Sequence, residues 1–278
     1  MLFTTLLIAG ILTSPYDIAE EKNEKIKVVV TILPQAEFVE KVGGEKVHVI
    51  VMIPPGYSPH SYEPKPSQLM EVSKARIYFQ VGSGVEFEIT HMKRLISINA
   101  NMLVVNCSEG IDIIDRDPHV WLSPRNAKVM VINIYKALAR IDPKNEGYYR
   151  HNMERYLREL DRLDEELRLI LSNITNRVFM VYHPAWGYFA HEYNLTQIPV
   201  EREGKRPTIK GMAMLIDQAR RMNIKVIFVS PQFDVKSAQA IAEEIGGKVI
   251  FADPLAKNYI NNLKSIALKI SEGASQNG

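Results

Sequence analysis

Four short stretches carry side chains suited to gripping a metal ion: Pro59-His60, Pro118-His119, His183-Pro184 and Asp253-Pro254. Each sets a ligand-type residue beside a proline. The pyrrolidine ring fixes φ, so little chain freedom is lost when such a loop closes on an ion. Three imidazoles and one carboxylate form a nitrogen and oxygen set suited to tetrahedral Zn²⁺. Mn²⁺ or Fe²⁺ becomes eligible if Asp253 binds through both oxygens. Four protein ligands leave no open position for an activated water, which favours capture over hydrolysis. Cys107 is the single cysteine, which excludes an intramolecular disulfide and a cysteine-based zinc site.

The other histidines are assigned differently. His48 falls within a predicted strand, and His91, His151 and His191 fall on predicted helices among charged neighbours, so solvated or structural roles are expected. Tyr57, Tyr62, Trp121, Trp186 and Tyr188 flank the ligand positions as candidate walls. Glu63 and Glu201 are candidate acceptors for the imidazole N–H groups. Cys107, in an apolar stretch, reads as an inert buried thiol.

The elements that must position these residues alternate in type. Val178 to Tyr182 is apolar, β-branched or aromatic without alternation, as in a strand buried on both faces of a parallel sheet. His183 stands at its carboxyl end, and Pro184 stops it by removing an amide donor. Further strands are expected over Val28–Leu33, Val47–Ile53, Arg76–Val81, Met102–Val105, Thr196–Val200, Val226–Val229 and Val249–Ala252. Helical stretches separate most of them, one beginning at a Ser67 cap, and this alternation predicts βαβ units and an α/β fold. In such sheets ligands gather beyond the carboxyl ends of the strands. His60, His183 and Asp253 follow strands directly, while His119 lies in the loop before a helix that Ser123 caps and Pro124 begins.

From Asp142-Pro143 to about Ser172 the spacing of Tyr149, Met153, Tyr156, Leu160, Leu163, Leu167 and Leu171 marks one long amphipathic helix. Roughly 30 residues at 1.5 Å each make it about 45 Å long, a stiff strut between two lobes. The expected organisation is 1–25 as signal or anchor segment and linker, 26–142 as N-terminal lobe, 143–173 as connecting helix and 174–278 as C-terminal lobe. Each lobe is expected to have its own core.

The chain of 278 residues is 46% hydrophobic and 24% charged, an ordinary globular balance. A formal net charge of +2, with no basic cluster interleaved with aromatics, argues against nucleic acid. Leu2 to Thr13 is apolar or hydroxylated, matching the core of a secretory signal, so export is expected. No cysteine lies near its end, and lipoprotein-type attachment is not expected. No phosphate-binding, dinucleotide-binding, H-E-x-x-H or G-x-S-x-G motif is present.

Taken in order, Val29-Val-Thr-Ile-Leu-Pro34, Pro59-His60-Ser-Tyr-Glu-Pro64, Asp117-Pro-His119-Val-Trp-Leu-Ser-Pro124, Tyr182-His183-Pro-Ala-Trp-Gly-Tyr-Phe189 and Asp253-Pro-Leu255 resemble the zinc and manganese solute-binding proteins of ABC transporters. The resemblance runs from about Lys27 to Ser271. It implies two lobes, each a parallel four-stranded sheet wrapped by helices, joined by one long rigid helix. It also implies a divalent metal held between the lobes by His60, His119, His183 and Asp253, and delivery to a membrane permease. A monomer is expected. Manganese-type members often carry Glu at the position of His183, so the third imidazole points to Zn²⁺, with Mn²⁺ the alternative. Zinc-type members often carry a His- and acid-rich loop that Ser83 to Glu88 does not supply. The competing readings are a metallohydrolase using the three histidines with Asp253 as base, and a structural zinc site in an adhesion protein.

Overall fold

In the first half of the chain, β1 (Ile26–Val30), β2 (Val47–Val51), β3 (Ile77–Gln80) and β4 (Leu103–Asn106) form a wholly parallel sheet in the order β2-β1-β3-β4. The second half repeats the plan with β5 (Val178–Val181), β6 (Thr196–Pro199), β7 (Val226–Val229) and β8 (Lys248–Phe251), ordered β6-β5-β7-β8. This is a computed structural model, and it describes residues 25–201, 204–233 and 235–275. The expected apolar signal segment lies outside the described residues. Among the described residues no helix is long and apolar enough to cross a membrane.

The strand order places the site. In both sheets the chain leaves the first strand for one neighbour, then crosses to the other side. The order therefore reverses between β1 and β3, and again between β5 and β7, opening a crevice at the carboxyl ends of those strands. His183 stands two residues past Val181, at the second of these switch points.

The helices that cover the sheets are α1 (Leu33–Gly43), α2 (Pro66–Val72), α3 (Glu86–Ile98), α4 (Pro124–Ile141), α5 (Glu146–Ser172), α6 (Gly187–Glu192), α7 (Ile209–Arg221), α8 (Lys236–Glu244) and α9 (Tyr259–Ser275). Ser123 caps α4 by accepting the Asn126 amide at 3.2 Å. The cap expected of Ser67 is replaced: Lys65 precedes α2, and Gln68 Oε1 accepts the Lys65 amide at 3.0 Å. Gln68 Nε2 also donates to the Met52 carbonyl at 2.6 Å, tying α2 to the end of β2.

The strut begins later than the sequence suggests. Pro143 opens a single 3₁₀ turn (Pro143–Asn145), and α5 follows with 27 residues, about 40 Å of helix. Its buried stripe is Tyr149, Asn152, Met153, Tyr156, Leu160, Leu163, Leu167 and Leu171, packed against α1, α4 and α9. Ion pairs along it, such as Lys41–Glu159 at 3.1 Å and Arg168–Glu192 at 2.8 Å, are partly exposed. Pairs of that kind contribute about 0–1 kcal/mol each, so apolar packing holds the strut.

That packing corrects the expectation of two separate cores. One buried cluster runs from Ile26 through the stripe of α5 to Ala274, joining both lobes. Phe179, Val181, Val226 and Phe228 face it from the second sheet. Their neighbours Met180, Ile227 and Val229 point the other way, into a smaller cluster with Ala219, Ala238 and Ile241 from α7 and α8. The alternation is the period of a strand buried on both faces. Polar links join the lobes as well: Trp121 Nε1 donates to the Pro254 carbonyl at 2.8 Å, and the Tyr259 hydroxyl donates to the Trp121 carbonyl at 2.6 Å.

Candidate metal centre

Three of the four candidate ligands meet. The loop after β2 brings His60, the loop after β4 brings His119, and the end of β5 brings His183 to one cavity between the lobes. His119 and His183 are buried, while His60 is partly open to solvent. The His183 ring centroid lies 5.2 Å from that of His119 and 5.1 Å from that of His60. His183 Nε2 and His119 Nε2 are 3.3 Å apart. Tetrahedral Zn²⁺ with 2.0–2.1 Å bonds has ligand–ligand edges of about 3.3–3.4 Å, so this spacing fits one edge of such a shell. The cavity itself has a volume of about 20 Å³, room for one ion or one water.

Asp253 is placed differently. It follows β8 beside the cavity-lining Pro254 and Leu255, and its Oδ1 accepts from Gln232 Nε2 at 2.8 Å and from the Leu255 amide at 2.9 Å. Among the described residues, no three His, Cys, Asp or Glu side chains already stand grouped as a closed metal cage. The imidazoles are gathered, and Asp253 is not among the residues that line their cavity.

Each imidazole has a carboxylate behind it. His183 Nδ1 donates to Glu201 Oε1 at 2.5 Å, His119 Nδ1 to Asp117 Oδ1 at 2.7 Å, and His60 Nδ1 to Glu86 Oε2 at 3.1 Å. An ionised carboxylate only accepts, so each Nδ1 carries a proton, and in the neutral form of such a ring the free lone pair is on Nε2. Burial holds the His183 pKa below the ordinary imidazole value, with Glu201 opposing that effect and His119 adding to it. The outcome is a neutral, ligand-ready ring.

The loops are pinned from beneath. Glu88 accepts the Val81 amide at 2.6 Å, the Gly82 amide at 2.9 Å and the Thr31 hydroxyl, inside the N-terminal lobe. Burial pushes its carboxyl pKa up. The Ser83 hydroxyl then donates to the Pro118 carbonyl, next to His119. Gly187, the first residue of α6, lies so close to Asp117 that a Cβ there would sit 2.3 Å from Asp117 Oδ2. Only glycine lets α6 approach the carboxylate that orients His119.

Of the expected walls, Trp121 lines the cavity, Tyr188 lines the wider cleft beside it, and Tyr62 lines a neighbouring pocket. Trp186 is core, packed on Phe189, and Tyr57 is half-exposed against Tyr62. Phe233 stacks on His183 with centroids 4.7 Å apart, a wall not anticipated although it follows β7 at the same sheet edge. Glu201 fulfils the expected acceptor role, whereas Glu63 faces His91. Asp117 stands two residues before His119, where an Asx side chain commonly bonds backbone ahead of it. Glu86 is 26 residues from His60, a distance no local pattern reveals. Cys107 is buried with its thiol pKa pushed well up by burial, as expected of an inert residue.

Two parallel-sheet lobes braced by one long helix, with histidines converging between them, define a solute-binding protein for a transition-metal ion. The profile of the family described as "Zinc-uptake complex component A periplasmic", ZnuA, matches residues 28–273, and the chain belongs to that family. It is 30% identical over 251 residues to the high-affinity zinc uptake system protein ZnuA of Bacillus subtilis (strain 168), covering 83% of this chain and 78% of that protein. It is 26% identical over 304 residues to the manganese ABC transporter substrate-binding lipoprotein PsaA of Streptococcus pneumoniae, covering 99% of this chain and 97% of that protein. A solved ZnuA structure, a 138-173 deletion mutant with zinc bound, superposes with a TM-score of 0.86 at 42% identity, covering 90% of this chain and 98% of that one. The protein captures a divalent transition-metal ion outside the cytoplasm and hands it to an ABC-type importer. The hydrolase reading gains nothing from these relatives, whose names are those of transport components.

Proposed function

We propose that the physiological cargo is Zn²⁺, held by Nε2 of His60, His119 and His183 and by the Asp253 carboxylate, with no enzymatic turnover. The observation that carries this reading is the 3.3 Å separation of His183 Nε2 and His119 Nε2, with a carboxylate behind each ring. Three neutral imidazoles make a borderline donor set that suits zinc better than manganese, which prefers oxygen. The zinc-bound ZnuA relative supports the same choice. Capture precedes delivery to a membrane permease, and the protein acts as a monomer with lobes 26–142 and 174–278 about the 143–173 connection. Asp253, already hydrogen-bonded to Gln232 and the Leu255 amide, is the ligand that yields on release.

Calorimetric titration of chelator-stripped protein tests this. One tight equivalent of Zn²⁺, weaker binding of Mn²⁺, and loss of the tight equivalent in His119→Ala and Asp253→Ala with unchanged circular dichroism are expected. Tighter binding of Mn²⁺ than Zn²⁺ would overturn the choice of metal. Wild-type affinity in either variant would overturn the ligand assignment.

A further inference from the structure

Gln232 stands in the loop after β7 and lines the same cavity as His60, His119 and His183. That loop leaves the carboxyl edge of the sheet beside the switch point between β5 and β7. The next residue, Phe233, stacks on His183 and fixes this part of the loop against the imidazoles. The two arms of the Gln232 amide are treated differently. Nε2 donates to Asp253 Oδ1 at 2.8 Å, away from the cavity. Oε1 is buried, and among the described residues it is the one buried side-chain nitrogen or oxygen with no hydrogen-bond partner. Which arm is which follows from chemistry. A carboxylate oxygen only accepts, so the amide arm that faces Asp253 is the NH₂, and the oxygen is on the other arm. A buried acceptor that no protein group satisfies marks the place of a water or an ion.

We infer that Gln232 is a further metal-site residue, whose Oε1 gives an oxygen to the ion that the three imidazoles hold. The inference rests on the capture reading of that cavity. With a volume of about 20 Å³ the cavity takes a single ion or a single water, so what meets Oε1 there also meets the imidazoles. The pattern behind the imidazoles is repeated as well. Each ring has a carboxylate accepting from its N–H, and Asp253 accepts from the Gln232 amide in the same way. That hydrogen bond polarises the amide and places more negative charge on Oε1. An amide oxygen also bears on the choice of ion. Oxygen donors suit Mn²⁺ and imidazoles suit Zn²⁺, so Gln232 tempers the preference that three histidines impose. A water on Oε1, with no ion in contact, is the rival occupant.

The test is competition titration of the chelator-stripped full chain with Zn²⁺ and with Mn²⁺, for wild type, Gln232→Leu and Gln232→Glu, with circular dichroism to verify the fold. Gln232→Leu removes both arms of the amide. It should bind Zn²⁺ about tenfold less tightly, and Mn²⁺ should lose more, so the ratio of the two affinities shifts towards Zn²⁺. Gln232→Glu returns an oxygen to the place of Oε1 but sets a carboxylate against Asp253 where the NH₂ stood. It should bind both ions at least as tightly as wild type, because the oxygen touches the ion. Wild-type affinities in Gln232→Leu would mean that Oε1 meets only water, and equal losses for the two ions would mean that it gives them no oxygen. Binding in Gln232→Glu as weak as in Gln232→Leu would mean that Gln232 merely positions Asp253. Each of these would overturn the inference and leave the central site standing. Gln232→Glu preserves the shape of the side chain, so binding well below wild type in it is decisive even if Gln232→Leu fails to fold. Absence of tight binding in wild type, or its survival in His119→Ala, would instead overturn the capture reading.

Discussion

Removal of the carboxylate behind each histidine should weaken metal binding in a graded order set by burial. The Glu201 side chain is 4% exposed and bonds His183 Nδ1 at 2.5 Å. For Asp117 on His119 the corresponding values are 19% and 2.7 Å, and for Glu86 on His60 they are 58% and 3.1 Å. Loss of such a partner typically costs about 10–100-fold in metal affinity, or roughly 1.4–2.7 kcal/mol. Glu201→Ala belongs at the top of that range, because His183 Nδ1–H is left without a partner where water has little access. Asp117→Ala belongs in the middle, and Glu86→Ala at or below the bottom, because solvent replaces the lost acceptor. Glu201→Gln retains an accepting oxygen without the charge and should recover part of the loss. The assay is competition for Zn²⁺ against a chelator of known affinity, at fixed pH, with urea unfolding of each apo protein alongside. Equal effects for all three alanine variants, or wild-type affinity in Glu201→Ala, would refute the reasoning.

Three further outcomes follow from the same geometry. His183 has its pKa lowered by burial, so below the ordinary imidazole value of 6.5 the unfolded chain carries a proton that the folded chain refuses. Its contribution to apo stability is therefore complete above that pH and is lost as pH falls towards the folded value, so urea midpoints at pH 7.5 and pH 5 should differ less in His183→Ala than in wild type. Trp121→Phe leaves the buried Pro254 carbonyl without its 2.8 Å donor and should cost about 1–3 kcal/mol of stability by chemical denaturation. Gly187→Ala places a methyl 2.3 Å from Asp117 Oδ2, and competition titration should show about tenfold weaker Zn²⁺ binding while the far-ultraviolet spectrum stays unchanged.

The sheets were legible because unbroken apolar runs such as Val226-Ile-Phe-Val mean strands covered on both faces, and their alternation with helices leaves little choice but parallel pairing. The gathering of His60, His119 and His183 followed from one rule, that loops at the carboxyl edge of a parallel sheet converge. Glu86 and Phe233 were not legible, because their partners are distant in sequence and meet only once each lobe has folded. Nor was the orientation of Asp253, which depends on Gln232 from a different loop. The shared core escaped as well. An amphipathic stripe on α5 shows that the helix buries one side, but it does not show that both lobes bury against the same side.

That shared core sets the mechanical character of the molecule. A clamshell that swung open about α5 would have to bring apolar surface of the common cluster into water, at about 2.5 kcal/mol for every 100 Å² uncovered. Wide gaping is therefore a costly deformation for this body, while movement of a single proline-stiffened loop is cheap. On the proposed ligand set the latch would then be small: withdrawing the segment that bears Asp253 would leave three imidazoles holding a doubly charged ion with no counter-charge in contact.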